Sequence, residues 1–262
     1  MLKSIFLCAD DFGLNPAINE GILALAHQGR LSATSCMTLA PAFAKDAATL
    51  AHAPIATGLH LSLTEPGASQ LQAQTLGRLI FRSFIRQGSA GDLRGEIRRQ
   101  LDAFEDHLHR APDHVDGHQH VHTLPMIREA LLEELHQRYG PNTPTVRSTR
   151  YGGAAPTMGA ALKARVIEAL GSFAMNNLAQ HHGLKCTNTL LGVYSFDAQP
   201  HQYLGYLKHW MQRATPQDVI MCHPASSAQS TDPIGRQRAI EYLVLASPEL
   251  GSLLKELNAQ IA

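Results

Sequence analysis

The sequence predicts an α/β fold, a TIM-like (β/α) barrel of about seven strands that forms a single domain over residues 1–262. Short apolar runs of strand length alternate with segments of helical spacing along the chain, which is typical of a parallel sheet with right-handed crossovers. About seven such units fit into 262 residues, close to the size at which barrels of this kind form one domain.

The strands are predicted from short apolar runs, the pattern of strands that are buried on both faces. The first run ends at Asp10 and Asp11, where the chain changes abruptly from apolar to charged. Applied to the whole chain, the same criterion predicts strands at residues 4–9, 33–39, 56–63, 114–119, 145–148, 187–193 and 218–222.

The helices are predicted from apolar spacing and from capping residues. Asn15 and Pro16 give an N-cap followed by proline at the first helical position, and Gly29 ends that helix. The predicted helices are residues 16–28, 43–51, 93–108, 124–139, 160–181, 202–213, 235–246 and 248–258. Residues 64–91 are rich in Gly, Gln and Ser, so we expect a long excursion there, with a lid helix at the apolar residues 79–85.

The composition excludes several classes of protein. Hydrophobic residues make up 44% of the chain, enough for a sizeable core, which excludes general disorder. Lys and Arg together number 22, and Asp and Glu together also number 22. Because the chain has no basic excess, no nucleic-acid partner is expected. No run approaches the roughly 18 apolar residues of a membrane-spanning helix, and no signal cleavage site follows the first apolar run. We therefore expect a cytoplasmic protein with no transmembrane segment.

Polar residues gather where the predicted strands end. In a parallel barrel these ends meet on one face, where barrel enzymes hold their chemistry. The side chains expected there are Asp10, Asp11, His60, Asp116, His118, His120, His122, Arg147 and His223. Adjacent side chains of an extended strand point to opposite sides, so Asp10 and Asp11 could hold different roles. His118, His120 and His122 would share one face if their strand continued, and His118 and His122 would also share a face if a helix had begun.

An aspartate and two histidines from three strands form a sensible set of divalent-metal ligands. Three protein ligands leave a fourth position open for water or substrate, as in catalytic zinc sites. The same residue types also describe a mononuclear iron site. The types of these side chains therefore predict a divalent metal but do not distinguish among zinc, iron, cobalt, nickel and magnesium.

Four segments carry a resemblance to a known family, CADDFGLNPAINEGI, TGLHLSL, HVDGHQHVH and MCHP. In this order and spacing they resemble the YdjC-like carbohydrate deacetylases, over residues 5–224. The resemblance implies a distorted TIM-like barrel that removes acetyl groups from N-acetylated sugars with one divalent metal ion, for which we expect zinc or magnesium. The family often has Ser-His-His-His where this chain has Gly117-His118-Gln119-His120, a departure that retains His118.

The resemblance also implies roles for individual residues. Asp11, His60 and His118 would be the metal ligands. Asp10 would be the general base that takes a proton from the attacking water, and His223 the acid that protonates the leaving amine. The metal would polarise the carbonyl and activate the water.

Three further residues are candidates for binding the substrate, namely Arg147, His120 and His122. Arg147 could hold Asp10 ionised or bind a sugar oxygen. His120 or His122 could replace His223 as the acid, or orient a metal ligand. The expected substrate is an N-acetylated sugar or glycolipid of the N-acetylglucosamine type, and the sequence leaves a homodimer open.

Other functions are consistent with part of this pattern. A phosphoester hydrolase would usually bring a second metal or a set of cationic clamps, for which only Arg147 and Arg150 are candidates. An iron oxygenase would need a clamp for a co-substrate carboxylate. A carbohydrate-binding protein without activity could lose Asp10 freely, whereas this chain retains the whole set of polar residues.

Overall fold

The computed structural model of the protein describes residues 2–69, 71 and 74–262. Its strands, in chain order, are β1 (Lys3–Ile5), β2 (Leu7–Phe12), β3 (Ala33–Cys36), β4 (Ala56–Leu61), β5 (His114–Gly117), β6 (Thr145–Val146), β7 (Leu190–Leu191), β8 (Val219–Cys222) and β9 (Ala259–Ile261). Its helices are α1 (Pro16–His27), α2 (Phe43–Ala51), α3 (Leu76–Phe84), α4 (Ala90–Leu108), α5 (Ile127–Tyr139), α6 (Met158–Ala169), α7 (Ser172–His181), α8 (Pro200–Arg213), α9 (Gly235–Ala246) and α10 (Pro248–Glu256). Short 3-10 turns cover His118–Thr123 and Gly140–Asn142.

The barrel is built from β2 to β8, which are parallel and lie side by side in the order β6-β5-β4-β3-β2-β8-β7. An isolated parallel bridge between Val146 and Cys186 links β6 to the segment ahead of β7. In that bridge the amide of Val146 donates to the carbonyl of Lys185 at 2.9 Å, and the amide of Thr187 donates to the carbonyl of Val146 at 3.0 Å. The curled sheet is therefore a distorted barrel, and the predicted fold class is confirmed.

The predicted first strand is divided into two parts. β1 pairs in parallel with β9, with Ile5 opposite Ile261, while β2 continues into the barrel between β3 and β8. A three-residue strand such as β9 carries too little apolar pattern to be predicted, because its formation depends on a partner far away in the sequence.

The predicted helix over residues 160–181 is broken into α6 and α7 at Gly171. A Cβ atom at Gly171 would lie 2.1 Å from the carbonyl oxygen of Thr123. The chain can therefore pass this close to the turn His118–Thr123 only with glycine at the break. This contact places the start of α7 against the turn that carries the histidine-rich segment.

Helix α3 lies inside the long excursion, where the sequence predicts a lid helix. Leu79 is buried against the core, whereas Phe81 and Phe84 are exposed. Residues 70, 72 and 73 of the excursion lie outside the described residues.

A continuous apolar core joins the barrel interior to the surrounding helices. Leu59 and Val115 from the strands and Leu101, Leu131 and Trp210 from the helices are buried in this one cluster. Burial of each such side chain stabilises the fold by roughly 1.5–3 kcal/mol. The strand ends that carry the polar groups therefore extend from a well-packed core. None of the described helices is long and apolar enough to cross a membrane.

Candidate active site

Asp10 and Asp11 lie at the carboxyl end of β2, where the strand is irregular. Its pairing with β3 shifts register between Ala9 and Phe12, and Asp11 has a φ of 73°. Because this bulge interrupts the alternation of side chains, each of the two carboxylates has an oxygen within 4.8 Å of a ring nitrogen of His60. The two carboxylates, which were expected to hold different roles, both come close to His60 but pair with different arginines, Asp10 with Arg147 and Asp11 with Arg238.

Asp11, His60 and His118 form a cluster at this end of the barrel. Oδ1 of Asp11 lies 3.2 Å from Nε2 of His60 and 3.0 Å from Nδ1 of His118. The three potential ligand atoms lie within 4.8 Å of one another. One carboxylate oxygen and two imidazole nitrogens at these separations fit a divalent metal with a position left open. The three residues that the sequence suggests as ligands are thus brought together.

Asp116 fixes the orientation of the His60 ring. Nδ1 of His60 donates to Oδ1 of Asp116 at 2.6 Å, which leaves Nε2 facing Asp11. Oδ2 of Asp116 accepts from the Ser35 hydroxyl at 2.6 Å and lies 2.6 Å from Nη2 of Arg147. Burial alone would raise the pKa of Asp116, but Arg147 and His60 outweigh burial and lower it. Asp116 is therefore an ionised acceptor behind His60.

Arg238 holds the second oxygen of Asp11. Its Nη2 donates to Oδ2 of Asp11 at 2.7 Å, and its Nε donates to Oδ2 of Asp232 at 2.6 Å. Burial would raise the pKa of Asp11, but the charges of Arg238 and His118 outweigh burial and hold that pKa well below its usual range. Arg238 thus leaves Oδ1 of Asp11 for the two histidines.

Arg147 binds Asp10 through both of its terminal nitrogens. Nη1 donates to Oδ2 of Asp10 at 2.7 Å, and Nη2 donates to Oδ1 at 2.8 Å. Arg147 is only 2% exposed, and its Nη2 also contacts Cys8 Sγ at 2.9 Å and Ser35 Oγ at 3.1 Å. Both terminal nitrogens of Arg147 are thus paired with the carboxylate of Asp10.

Among the described residues, two other groups of side chains have the spacing of metal ligands. They are Cys8 with His114 and Asp116, and Asp10 with His60 and Asp116. Both groups include Asp116, which is already paired with the Arg147 guanidinium at 2.6 Å. The other oxygen of Asp116 is bound by Nδ1 of His60, so both oxygens of Asp116 are taken, whereas Arg238 binds only one oxygen of Asp11. The cluster of Asp11, His60 and His118 is therefore the better candidate.

The charge balance of the site also favours a cation. The buried charged groups that the structure describes around His60 are three carboxylates and two guanidinium groups, those of Asp10, Asp11, Asp116, Arg147 and Arg238. Three negative charges and two positive charges leave a net charge of −1. Burial would lower the pKa of His60, but the charge of Asp116 and the hydrogen bonds with Asp11 and Asp116 raise it to about 10. A bound cation would satisfy the same negative charge that otherwise keeps a proton on His60, so the donor set fits a metal.

His223 follows β8 and lies on the same face. Its backbone amide donates to Oε2 of Glu241 at 2.6 Å, and its ring packs edge-on against Phe196 with 5.2 Å between centroids. Nδ1 is buried with no hydrogen-bond partner in the described part of the chain. Burial lowers the pKa of His223 to about 4, although Asp11 and Asp10 oppose this effect. His223 is therefore neutral at pH 7.

The remaining two histidines do not continue β5. The strand ends at Gly117, and Gln119 and His120 have φ values of 52° and 61°, so the expected period-two arrangement of the histidines is not formed. His122 is fully buried, and its Nε2 donates to the carbonyl of Arg147 at 2.9 Å. Burial lowers the pKa of His122 to about 4 and that of His120 well below its usual range. His122 thus supports the backbone of Arg147, and His120 is the half-buried one of the pair.

Three residues of the site have roles that the sequence alone does not indicate. Asp116 was visible as part of the polar run after β5, yet nothing local distinguished it as the acceptor for His60. Arg238 and Glu241 lie within α9, where charged residues are usually solvated. Their burial follows only from the packing of α9 over the ends of β2 and β8, which a single sequence does not reveal.

The site and the fold can be compared with known proteins. Over 98% of this chain and 92% of the relative, it is 29% identical to a carbohydrate deacetylase of Mus musculus. Over 95% of this chain and 93% of the relative, it is 26% identical to a chitooligosaccharide deacetylase of Yersinia pestis. A solved structure from Enterococcus faecalis, described as a cellobiose-phosphate cleavage protein, is similar with a TM-score of 0.70 and 19% identity, covering 100% of this chain and 97% of the other.

The similarities to the two deacetylases extend over nearly the whole chain rather than over the site alone. The family model described as YdjC-like protein matches residues 4–256, from β1 to the end of α10. The matched range contains every residue of the cluster around His60, together with His223 and Glu241. The chain therefore belongs to the YdjC-like family.

Proposed function

We propose that the protein hydrolyses the N-acetyl group of an acetylated amino sugar. The observation that carries this proposal is the cluster of Asp11, His60 and His118 beside the carboxylate of Asp10, which Arg147 binds through two hydrogen bonds. Relatives named carbohydrate deacetylase and chitooligosaccharide deacetylase, similar over nearly the whole chain, support the same reaction.

Different residues are proposed for the different steps of amide hydrolysis, beginning with metal binding. We propose that Asp11, His60 and His118 hold one divalent ion, which when bound supplies Lewis-acid polarisation of the acetamide carbonyl and activation of water. Zinc and magnesium are the two ions expected at this site, and the metal addition in the test below distinguishes them. Asp116 and Arg238 keep the ligand atoms aimed at one point, as partners of metal ligands commonly do.

Asp10 is the group proposed to remove a proton from the attacking water. Arg147 donates to both of its oxygens, so the carboxylate is paired with a guanidinium and kept in one orientation. One of its oxygens lies within 4.8 Å of a ring nitrogen of His60, so Asp10 would lie beside the proposed ion without being one of the three ligands. A carboxylate held in a fixed position is suited to general-base catalysis.

His223 is the group proposed to protonate the departing amine. Because His223 is neutral in the resting protein, we propose that it passes on the proton removed by Asp10 and does not hold a resting proton of its own. Asp10 and Asp11 both act electrostatically on His223, which supports its placement on the same side of the site. His120 keeps the alternative role of binding the substrate.

Phosphoester hydrolysis finds less support in these contacts. The guanidinium groups described at the site, those of Arg147 and Arg238, are both bound to carboxylates. A phosphoryl group would need cationic contacts that are free to meet it. The finer predictions, namely a cytoplasmic location, a homodimer and a glycolipid substrate, stay predictions.

The test is release of acetate from a panel of N-acetylglucosamine compounds, both soluble and lipid-linked, assayed with chelator and after addition of zinc or magnesium. We expect acetate from at least one compound, with loss of release in chelator and recovery with one metal. If the protein binds metal stoichiometrically but releases acetate from none of the compounds, we would conclude that it hydrolyses another bond. Acetate release that survives complete removal of metal would reject the proposed role of the cluster.

A further inference from the structure

A cavity of about 500 Å³ lies at the amino end of the barrel, on the face opposite the cluster around His60. Residues at or next to the starts of five strands line this amino-end cavity, namely Phe6, Ala56, His114, Thr145 and Val219. Its inner end reaches Cys8 and Arg147, which are buried inside the barrel. A volume of this size lies within the range of roughly 300–1,000 Å³ that is usual for sites of small organic ligands.

Gly58 makes room for the ring of His114 beside the amino-end cavity. A Cβ atom at Gly58 would lie 2.4 Å from Nε2 of His114, so a residue with a side chain could not come this close to the ring. The two residues lie directly opposite one another in the pairing of β4 with β5. Strand register and a glycine therefore fix the His114 ring in the lining of the cavity.

The hydrogen bonds of Ser35 define which ring nitrogen of His114 carries a proton. The Ser35 hydroxyl donates its one hydrogen to Oδ2 of Asp116 at 2.6 Å, so its oxygen accepts from Nε2 of His114 at 2.9 Å. Burial lowers the pKa of His114, although the charge of Asp116 opposes this effect, so the ring is neutral at pH 7. A neutral ring with its proton on Nε2 has a bare acceptor at Nδ1.

Nδ1 of His114 is the polar atom that indicates a ligand in the cavity. The ring contacts described for His114, with Cys8, Ser35 and Asp116, all use Nε2. Within residues 2–69, 71 and 74–262, no group is therefore described as donating to Nδ1. His114 is 9% exposed and lines the cavity, so the cavity is the space from which a donor can reach this atom. Native proteins rarely leave such an acceptor without a partner.

The rest of the lining favours a neutral ligand with an apolar body. The surface that faces the cavity is mainly apolar, with contributions from Phe6, Ala56, Pro216 and Val219. Two acidic and two basic side chains balance one another in the lining, those of Asp113, Asp218, Arg147 and Lys185. The buried charges among them, on Arg147 and Asp218, already have polar partners in the protein. An ionic ligand would therefore find no net charge of opposite sign.

We propose that the amino-end cavity binds a small neutral compound of the phenol type, with an apolar ring and one hydroxyl group that donates to Nδ1 of His114. The ring of such a compound covers the apolar part of the lining. Water alone suits the cavity less well, because an internal water usually makes about three hydrogen bonds and the lining is mainly apolar. The proposal does not rest on the proposed function, since the cavity and the metal ligands lie at opposite ends of the barrel.

The experiment compares phenol with toluene, which has nearly the same shape but no hydroxyl group. NMR titration of the isotope-labelled full chain gives the affinity for each compound. His114→Phe keeps an aromatic ring and removes the acceptor, so we expect it to lower the phenol-to-toluene affinity ratio about tenfold, the effect of one lost hydrogen bond. His201→Phe is the matched control, because His201 is exposed on α8, and it should keep the wild-type ratio.

A second variant tests the place of binding without changing His114. Ala56 is a half-buried residue of the lining, so Ala56→Phe fills part of the cavity and should weaken the binding of both compounds at least tenfold. Thermal unfolding checks that each variant is folded. The proposal is overturned if wild-type protein does not bind phenol, if folded His114→Phe keeps the wild-type affinity ratio, or if folded Ala56→Phe binds phenol as tightly as the wild type.

Discussion

His60 and Asp116 are joined by a hydrogen bond of 2.6 Å from Nδ1 to Oδ1, and this contact decides which ring nitrogen of His60 meets Asp11. Strands β4 and β5 pair so that these two residues lie directly opposite one another. The contact is therefore a consequence of strand register, not of a flexible loop. It connects the proposed metal ligands to Arg147, since Arg147 binds the other oxygen of Asp116.

Asp116→Asn should weaken metal binding without abolishing it. The amide removes the negative charge that stabilises His60 as a donor at Nδ1, and loss of such a partner typically costs about 10- to 100-fold in metal affinity. Titration of metal-free protein with zinc measures the change. Asp106→Asn, an exposed change on α4, should leave the affinity unaltered, and equal affinities for the two variants would exclude a role for Asp116.

Removal of any one proposed ligand should release the metal. Asp11→Ala, His60→Ala and His118→Ala each leave two protein ligands, too few for a stable site of this type. The measurement is metal content by elemental analysis after purification, with the exposed His201→Ala as control. A variant that keeps full occupancy removes its residue from the ligand set.

Asp10→Asn should retain metal and lose at least about 100-fold in kcat, because it removes the proposed general base. It also leaves the buried Arg147 guanidinium with fewer negative partners, since only Asp116 remains paired with it. We therefore expect some loss of stability as well, which thermal unfolding would measure. Turnover close to that of wild type, in a variant with normal metal content, would refute the role of Asp10.

The sequence was sufficient to predict the barrel and the residues that meet at its carboxyl end. Alternation of apolar runs and helical segments is a property of each local stretch, so strands and helices could be placed without tertiary information. The segment after β5 is one that local patterns did not predict correctly. Its histidines were expected to follow a strand or a helix, but the chain turns at Gln119 and His120 with left-handed backbone angles.

The residues behind the site could not be predicted, for a physical reason. Arg238 and Glu241 take their roles from contacts with Asp11 and His223, which are distant in the sequence. The bulge at Asp11 likewise depends on the register between β2 and β3. Such features are set by packing between elements, and no local pattern of charge or hydrophobicity records them.

His223→Ala should slow kcat by about 100-fold or more while leaving the metal in place, since it removes the proposed proton donor. Because burial lowers the pKa of His223 to about 4, its titration lies below the neutral range. If His223 titrated near pH 6.5, the wild-type pH profile of kcat/KM would show an inflection there that is missing in His223→Ala. We expect no such difference between the two profiles. Observation of such an inflection would contradict the neutral state of the resting imidazole.

Glu241 should make the stability of the protein depend on pH between about 4.5 and 7. Burial raises its pKa from 4.5 to about 7 in the folded protein, although hydrogen bonds from the His223 amide and from the Tyr194 and Tyr203 hydroxyls oppose the rise. The folded state therefore binds a proton more tightly than the unfolded chain. This contribution to the free energy of unfolding is complete below pH 4.5 and is lost as the pH rises to 7.

The variant Glu241→Gln isolates this effect, because the amide does not titrate and keeps one acceptor oxygen for the His223 amide. Relative to wild type, its free energy of unfolding should increase by up to roughly 3 kcal/mol between pH 4.5 and pH 8, following about 1.4 kcal/mol for each pH unit of difference between the two pKa values. Denaturant unfolding at several pH values measures this difference. The exposed Glu256→Gln serves as control, and a Glu241→Gln difference that stays constant with pH would show that the pKa of Glu241 is the same in the folded protein as in the unfolded chain.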